Sequence, residues 1–193
     1  IDESKIFYWT MQAVQGLQAL HHKDIIHRDI KPANMFLSKE NKITIYTDGA
    51  AKGNPGKAGW GAIIMAGGKV FELGGRKDHA TNNQMELTAP IEALKYISAR
   101  QGLAESGVEI FSDSKYVILG ITEWIENWMK NGWRNAAKKP VVNQELWEEL
   151  YELNKALKPK WNYVKGHSGH EHNDRVDLIA TSFAEEEPVE LRK

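Results

Sequence analysis

The sequence predicts an α/β fold, a five-stranded mixed sheet flanked by helices, with three antiparallel strands followed by parallel ones. Between residues 42 and 76, three segments with strand-like patterns follow one another through Gly- and Pro-rich turns. After residue 81, two more strand-like segments alternate with helical segments. Strands that are separated by helices are usually joined by right-handed crossovers, which make them parallel neighbours in one sheet.

The first half of this region predicts an antiparallel meander and one helix. KITIYTDG, from Lys42, alternates as a strand does, and AKGNPGKAG forms the turn after it. GWGAIIMAGGKVFELGGR predicts two more strands around a turn at Gly67 and Gly68. A helix then runs from about Thr81 to Gln101, and Thr81 or Asn82 is its N-cap.

The second half predicts the parallel strands and the remaining helices. VEIFSD is a short, largely apolar strand, and SKYVILGITEWIENWMKNGW after it has helical periodicity. NQELWEELYELNKAL is a further helix, KWNYVKG is the fifth strand, and NDRVDLIATSFAEEE is the last helix. The sheet is therefore expected to carry helices that cover it.

Composition limits the classes of site and location. The chain has no cysteine, which excludes disulfides and thiolate-bound metals. The net charge of −1 neither indicates nor forbids a nucleic-acid partner. No apolar run approaches the roughly 18 residues of a membrane span, and no secretory signal is evident, so we expect a cytoplasmic protein without membrane contact. The start at Ile1 suggests a fragment or a processed product.

Four acidic residues lie where a predicted strand ends or a predicted helix faces inward: Asp48, Glu86, Asp113 and Asp177. Taken singly, such an aspartate is more often a cap or a turn former than a catalytic group. Four motifs contain them in order: TDGAAKGNPG, ATNNQMELTAPIEAL, IFSDSKYV and VKGHSGHEHNDRVD. Together these motifs closely resemble the ribonuclease H family of the bacterial, single-domain type (type 1), from about residue 42 to the C-terminus.

The resemblance implies a ribonuclease H-like fold and an endonuclease that cuts the RNA strand of RNA/DNA hybrids, leaving 5'-phosphate and 3'-hydroxyl ends. It also implies that the four acids form one catalytic, metal-binding site. Crowded carboxylates raise one another's pKa unless cations neutralise them, and oxygen ligands favour Mg²⁺, or Mn²⁺, over zinc. Two such ions about 3.5 to 4 Å apart can support an in-line phosphoryl displacement, with Asp48 expected to bridge them.

Three histidines follow the fifth predicted strand: His167, His170 and His172. We expect His170 and His172 to be solvated loop residues. His167 matches the family's mobile catalytic histidine, which assists proton transfer or product departure. As a general acid or base it should contribute about 10- to 100-fold to the rate.

A basic and aromatic segment, between Lys115 and Lys139, is net positive within this near-neutral chain. Tryptophans at helical spacing, such as Trp124 and Trp128, are more often core residues than base-stacking platforms. The position nevertheless matches the family's basic protrusion, which grips the DNA strand through phosphates and without sequence readout. The residues expected to bind the hybrid here are Lys115, Trp124, Lys130, Trp133, Arg134, Lys138 and Lys139.

Discrimination between the two strands has to use the 2'-hydroxyl, which only RNA displays in the minor groove. The resemblance implies that backbone groups around Gly49 and the side chains of Asn54, Asn83 and Glu86 face the RNA or this groove. Asn54 and Thr81 would help to hold a DNA phosphate. We therefore expect an RNA/DNA hybrid as the partner, and no sequence-specific DNA.

Residues 1–41 predict a leader that is not an independent domain, followed by a ribonuclease H domain at 42–193. The leader contains an amphipathic helix, and HRDIKPANMFL after it resembles the catalytic loop of Ser/Thr protein kinases. In that resemblance Asp29 occupies the base position and Asn34 the metal-ligand position. The glycine-rich loop, the strand lysine and the DFG motif are absent, so we expect no kinase activity.

Two other functions stay open at this point. The chain could be a hybrid-binding module that does not cut, although the four intact acids oppose this reading. It could also be a kinase-related regulatory fragment, which only the leader supports. We expect a monomer unless the apolar face of the leader drives self-association.

Overall fold

The computed structural model describes residues 42–100, 107–166 and 170–192, and the sheet lies within them. Its strands are β1 (Lys42–Gly53), β2 (Gly56–Ala66), β3 (Lys69–Ala80), β4 (Gly107–Ser112) and β5 (Lys160–Tyr163). They form one sheet in the order β3-β2-β1-β4-β5. β2 is antiparallel to β1 and β3, whereas β1, β4 and β5 are parallel. The predicted mixed sheet is therefore confirmed.

Helices occupy the predicted segments: α1 (Asn82–Ser98), α2 (Lys115–Leu119), α3 (Ile125–Lys130), α4 (Gln144–Leu157) and α5 (Glu171–Ala184). Thr81 is the N-cap of α1, and its side chain and that of Gln84 form a reciprocal capping box. Between α2 and α3, residues Gly120–Trp124 form a π-helical turn that the sequence pattern did not predict. Gly120 lies so close to the Trp147 ring that a larger residue there would overlap it.

The sheet is the middle layer of three. Alternate residues of β1 face opposite sides, since successive side chains of a strand point to opposite faces. Ile43 and Ile45 pack in the larger core, with residues of α1 and α4. Tyr46 packs on the other side, in a smaller core with Val176 and Ile179 of α5. Helix α5 therefore covers the face of β1 on which Tyr46 lies.

The leader, with Asp29 and Asn34, lies outside the described residues, so the division at residues 41 and 42 stays a prediction. Within the described ranges, no helix is both long and apolar enough to cross a membrane.

Candidate active site

The four acids come from four different elements. Asp48 lies on β1, and Asp113 directly follows β4, whose Ser112 is the partner of Thr47 in the parallel pair. Glu86 belongs to α1, and Asp177 belongs to α5. Carboxylate oxygens of Asp48, Glu86 and Asp113 lie within 4.8 Å of one another. Asp177 shares a hydrogen bond with Asp48. The structure thus brings together all four acids that the motifs single out.

Gly49 sets the close approach of α1 to β1. A β-carbon at this position would overlap the backbone of α1 between Met85 and Glu86. The Gly49 amide donates a hydrogen bond of 2.8 Å to Oδ1 of Asp48, which fixes that carboxylate. The absence of a side chain at Gly49 therefore lets Glu86 lie beside Asp48.

The carboxylates are buried and repel one another. Burial is the main cause that raises the pKa of Asp48 from 3.8 to about 8, and the charge of Asp113 adds to it. Burial also raises the pKa of Glu86 well above its usual range, with Asp48 as the next cause. The side chains of Asn82 and Ser114 act in the opposite direction on Glu86. Without a cation, the ionised form of this cluster is therefore unfavourable.

The possible ligand atoms of the cluster suit a hard divalent cation. Oε1 of Glu86 accepts a hydrogen bond from Nδ2 of Asn82 at 3.2 Å. Oε2 of Glu86 is buried, and within the described ranges it has no hydrogen-bond partner. A buried oxygen without a partner is costly, and a cation ligand would satisfy it. Since every donor is a carboxylate oxygen, Mg²⁺ and Mn²⁺ suit the cluster.

The loop after β5 contacts the cluster through Gly166. A β-carbon at Gly166 would lie 2.5 Å from Oδ2 of Asp113, so the backbone there rests on this carboxylate. His167 follows immediately and lies outside the described residues, so its role stays a prediction. His170 is exposed, whereas His172 lies in the first turn of α5 and is half-buried, which differs from the expected loop residue. Both rings lie near Tyr46, with centroid distances of 5.1 and 5.3 Å.

The residues expected at the DNA phosphate lie at one corner of the molecule, where the β1–β2 hairpin meets the start of α1. Oδ1 of Asn54 accepts a hydrogen bond of 3.1 Å from the Asn82 amide. Thr81 precedes Asn82 and caps the helix, and Asn83 is exposed. This corner belongs to the same helix that carries Glu86.

The predicted protrusion combines core and surface tryptophans. Trp128 and Trp133 pack against the larger core, and Trp128 meets Trp147 edge-on at 5.3 Å. Trp124 and Trp128 are both half-buried and, with Arg134, line a surface pocket of ≈ 570 Å³. Trp128 thus combines core packing with a surface position, whereas Trp124 is not among the described residues packed against the larger core. The lysines of the expected set are all exposed: Lys115, Lys130, Lys138 and Lys139.

A half-buried ion pair, which no sequence motif predicts, anchors α5. Arg175, two residues before Asp177, donates hydrogen bonds of 2.9 and 2.7 Å to the two carboxylate oxygens of Glu72 on β3. The Arg192 amide donates a third bond to Glu72, at 3.0 Å. No local pattern reveals this pair, because its partners are 103 residues apart.

Comparisons with known proteins agree with this geometry. The RNase H family model matches residues 40–185, and a model described as the protein kinase domain matches residues 1–57. Ribonuclease H of Thermosynechococcus vestitus is 52% identical over 149 residues, which cover 77% of this chain and 92% of that protein. Ribonuclease H of Bradyrhizobium diazoefficiens is 51% identical over 138 residues, which cover 72% and 86%. The match of the protein kinase domain model thus confirms that the leader resembles protein kinases.

Solved structures show the same fold. LC9-RNase H1, described as a type 1 RNase H with the type 2 active-site motif, superposes with a TM-score of 0.64 at 24% identity, covering 76% of this chain and 73% of that one. LC11-RNase H1 in complex with an RNA/DNA hybrid gives 0.56 at 25% identity, covering 75% and 97%. Since the RNase H model matches well over half of the sequence and curated ribonucleases H share about half of the aligned residues, this chain belongs to the ribonuclease H family of enzymes.

Proposed function

We propose that the protein hydrolyses the RNA strand of RNA/DNA hybrids endonucleolytically, without sequence preference, and leaves 5'-phosphate and 3'-hydroxyl ends. The carboxylate cluster is the observation that carries this proposal. Carboxylate oxygens of Asp48, Glu86 and Asp113 lie within 4.8 Å of one another, and Asp177 shares a hydrogen bond with Asp48. The relative LC11-RNase H1 has been solved with an RNA/DNA hybrid, which supports the choice of substrate.

The four acids would hold two Mg²⁺ ions, or Mn²⁺ in their place. When bound, such ions supply an activated water and neutralise charge on the leaving oxygen. The Gly49 amide holds one oxygen of Asp48, and the Asn82 side chain holds Oε1 of Glu86, which leaves Oε2 for ligation. His167 would move a proton near the departing product.

The hybrid would lie across the carboxylate cluster, between two groups of residues that bind it. At one end, Asn54 and Thr81 would hold a DNA phosphate, while Gly49 and Asn83 face the RNA. At the other end, the exposed cations of the protrusion would contact phosphates, and these contacts carry no sequence information. The residues expected to bind the hybrid at this end are the cations Lys115, Lys130, Arg134, Lys138 and Lys139, together with Trp124 and Trp133. We further propose that the enzyme acts as a monomer in the cytoplasm.

Two variants of the site and one matched control test the proposal. Asp48→Asn and Asp177→Asn should each slow cleavage, Asp48→Asn by more than about 100-fold, since even residues that only orient a metal ligand contribute about 10- to 100-fold. Asp174→Asn is the matched control, because Asp174 is exposed and lies one turn from Asp177 on the same helix. Its rate should stay within about twofold of wild type. Cleavage by Asp48→Asn at the wild-type rate would refute the assignment of the site.

A further inference from the structure

An acidic turn after α5 contacts three cations near the β1–β2 hairpin. Oε1 of Glu185 lies 2.8 Å from Nζ of Lys52. Glu186 contacts Nζ of Lys57, and its other oxygen lies 2.8 Å from the Arg76 guanidinium. Arg76 also contacts Asp78. Two carboxylates of one turn thus neutralise charges on three different strands.

These cations lie beside the corner where the proposed function places a DNA phosphate. Lys52 and Lys57 are cross-strand partners in the hairpin that carries Asn54 at its turn. Lys52 is on the same face of β1 as Asp48 and four residues further along, which is about 13 Å in a strand. A duplex carries one phosphate charge per about 1.7 Å of its axis, so a distance of about 13 Å spans several phosphates. A hybrid that extends from the carboxylate cluster towards Asn54 would therefore bring phosphates near the hairpin cations.

The backbone gives Glu186 an unusual place. The amides of Glu186 and Glu187 donate to the carbonyls of Phe183 and Ser182, which closes α5 with a Schellman motif. Glu186 occupies the left-handed position of this motif, with φ of 66°, where glycine is the favoured residue. The chain thus has a charged side chain at a position where the backbone conformation favours glycine, which has no side chain.

Stability does not account for the acidic turn. The side chains of Glu185 and Glu186 are 41% and 38% exposed, and their cationic partners are 43 to 59% exposed. Exposed ion pairs of this kind contribute little to folding, and salt screens them. They are correspondingly easy to exchange, because a phosphate can replace a carboxylate as the partner of a lysine or an arginine.

We propose that Glu185 and Glu186 are internal competitors of the substrate: they hold Lys52, Lys57 and Arg76 in the free protein, and the phosphates of the RNA/DNA hybrid displace them. This proposal rests on the proposed function for the identity of the ligand. The acidic turn then lowers the affinity for hybrid without entering the chemical step. It also lowers the salt dependence of binding, since each displaced carboxylate takes up a counterion.

The test is the double variant Glu185→Gln/Glu186→Gln in the full chain. Its KM for a hybrid should fall by about 3- to 10-fold at low salt while kcat stays unchanged. Binding of a fluorescent hybrid in EDTA, followed by anisotropy, should tighten by the same factor. The slope of log affinity against log salt should steepen by about 1 to 2.

Glu148→Gln/Glu152→Gln is the matched control, because it changes the net charge equally on the exposed side of α4. This control should change KM by less than about twofold. Adding Lys52→Met, Lys57→Met and Arg76→Met to the Glu185/Glu186 variant should remove the gain in affinity. An unchanged affinity, an equal gain in the control, or a gain that survives loss of all three cations would overturn the proposal.

The anisotropy arm separates this proposal from the proposed function. If the Glu185/Glu186 variant binds hybrid more tightly but the wild-type chain does not cut it, the competitor proposal stands and the proposed nuclease function is refuted. Cutting by the wild-type chain, with no change of affinity in the Glu185/Glu186 variant, would refute the competitor alone.

Discussion

Replacing Asp48 by asparagine should stabilise the metal-free protein while abolishing its activity. The structure holds this carboxyl 7% exposed, beside Asp113 and Asp177, and its pKa is raised from 3.8 to about 8. A raised pKa in the folded state means that the folded protein binds a proton more tightly than the unfolded chain. The stability from this proton is complete below about pH 4 and is lost as the pH rises through about 8.

The magnitude follows from the size of the shift. One pKa unit corresponds to about 1.4 kcal/mol. Between acid pH and pH 7, deprotonation linked to Asp48 therefore lowers the free energy of unfolding of the wild-type protein by at most about 4 kcal/mol. Asparagine has the same shape, carries no charge and can still accept the Gly49 hydrogen bond. Asp48→Asn should recover about 2 to 4 kcal/mol of this loss at pH 7.

Urea unfolding in EDTA, at several pH values between 4 and 9, measures this difference. We expect the free energy of unfolding of Asp48→Asn to exceed that of wild type by an amount that grows with pH. Adding Mg²⁺ should stabilise wild type more than the variant, because a ligand that binds only the folded state stabilises it. A variant that is no more stable than wild type at pH 7 to 8, or a difference independent of pH, would refute this reasoning.

Three further perturbations test the supporting contacts. Glu72→Gln should lower the free energy of unfolding by about 3 kcal/mol in urea titrations, because it leaves Arg175 without its buried partner. Gly49→Ala should cost about 1 to 3 kcal/mol and reduce cleavage further than stability explains, since its methyl group meets α1 at Glu86. Trp128→Ala should lower stability by about 3 kcal/mol, because this ring packs against the larger core, and should also raise KM for the hybrid, whereas Trp124→Ala should raise KM with a smaller loss of stability.

Local features of the fold were predictable from the sequence. The pattern of KITIYTDG identifies β1, whose Ile43 and Ile45 pack in the larger core while Tyr46 packs on the other face, beside α5. The sequence offers Thr81 or Asn82 as the cap of α1; Thr81 is the cap, and the capping box is present because Thr81 and Gln84 are three residues apart. The predicted end of α1 near Gln101 is wrong, because the helix stops at Ser98.

The candidate site was predictable through its motifs, not through its geometry. The spacing of Asp48, Glu86, Asp113 and Asp177 along the chain does not itself bring them together; the crossovers between parallel strands do. Contacts between distant segments left no local signal. The Glu72–Arg175 pair and the contact of Gly166 with Asp113 depend on how α5 and the loop after β5 lie on the sheet.

Histidines and tryptophans show the same limit. Both His170 and His172 contact Tyr46, which lies 124 residues before His170, so their ring contacts are invisible to a loop pattern. Trp124 and Trp128 share one helical spacing, yet only Trp128 packs in the larger core. The π-helical turn at Gly120–Trp124 directly precedes α3, and periodicity alone did not predict it.

Strand-specific cleavage is the most direct test of the central claim. The purified chain is incubated with an RNA/DNA hybrid labelled on each strand in turn, with Mg²⁺ or with EDTA, and with an all-DNA duplex as control. We expect cuts within the RNA strand only, in Mg²⁺ only, with 5'-phosphate and 3'-hydroxyl ends. Cutting of the DNA strand, cutting in EDTA, or binding of the hybrid without any cutting would contradict the assignment of the carboxylate cluster as a hybrid-specific nuclease site.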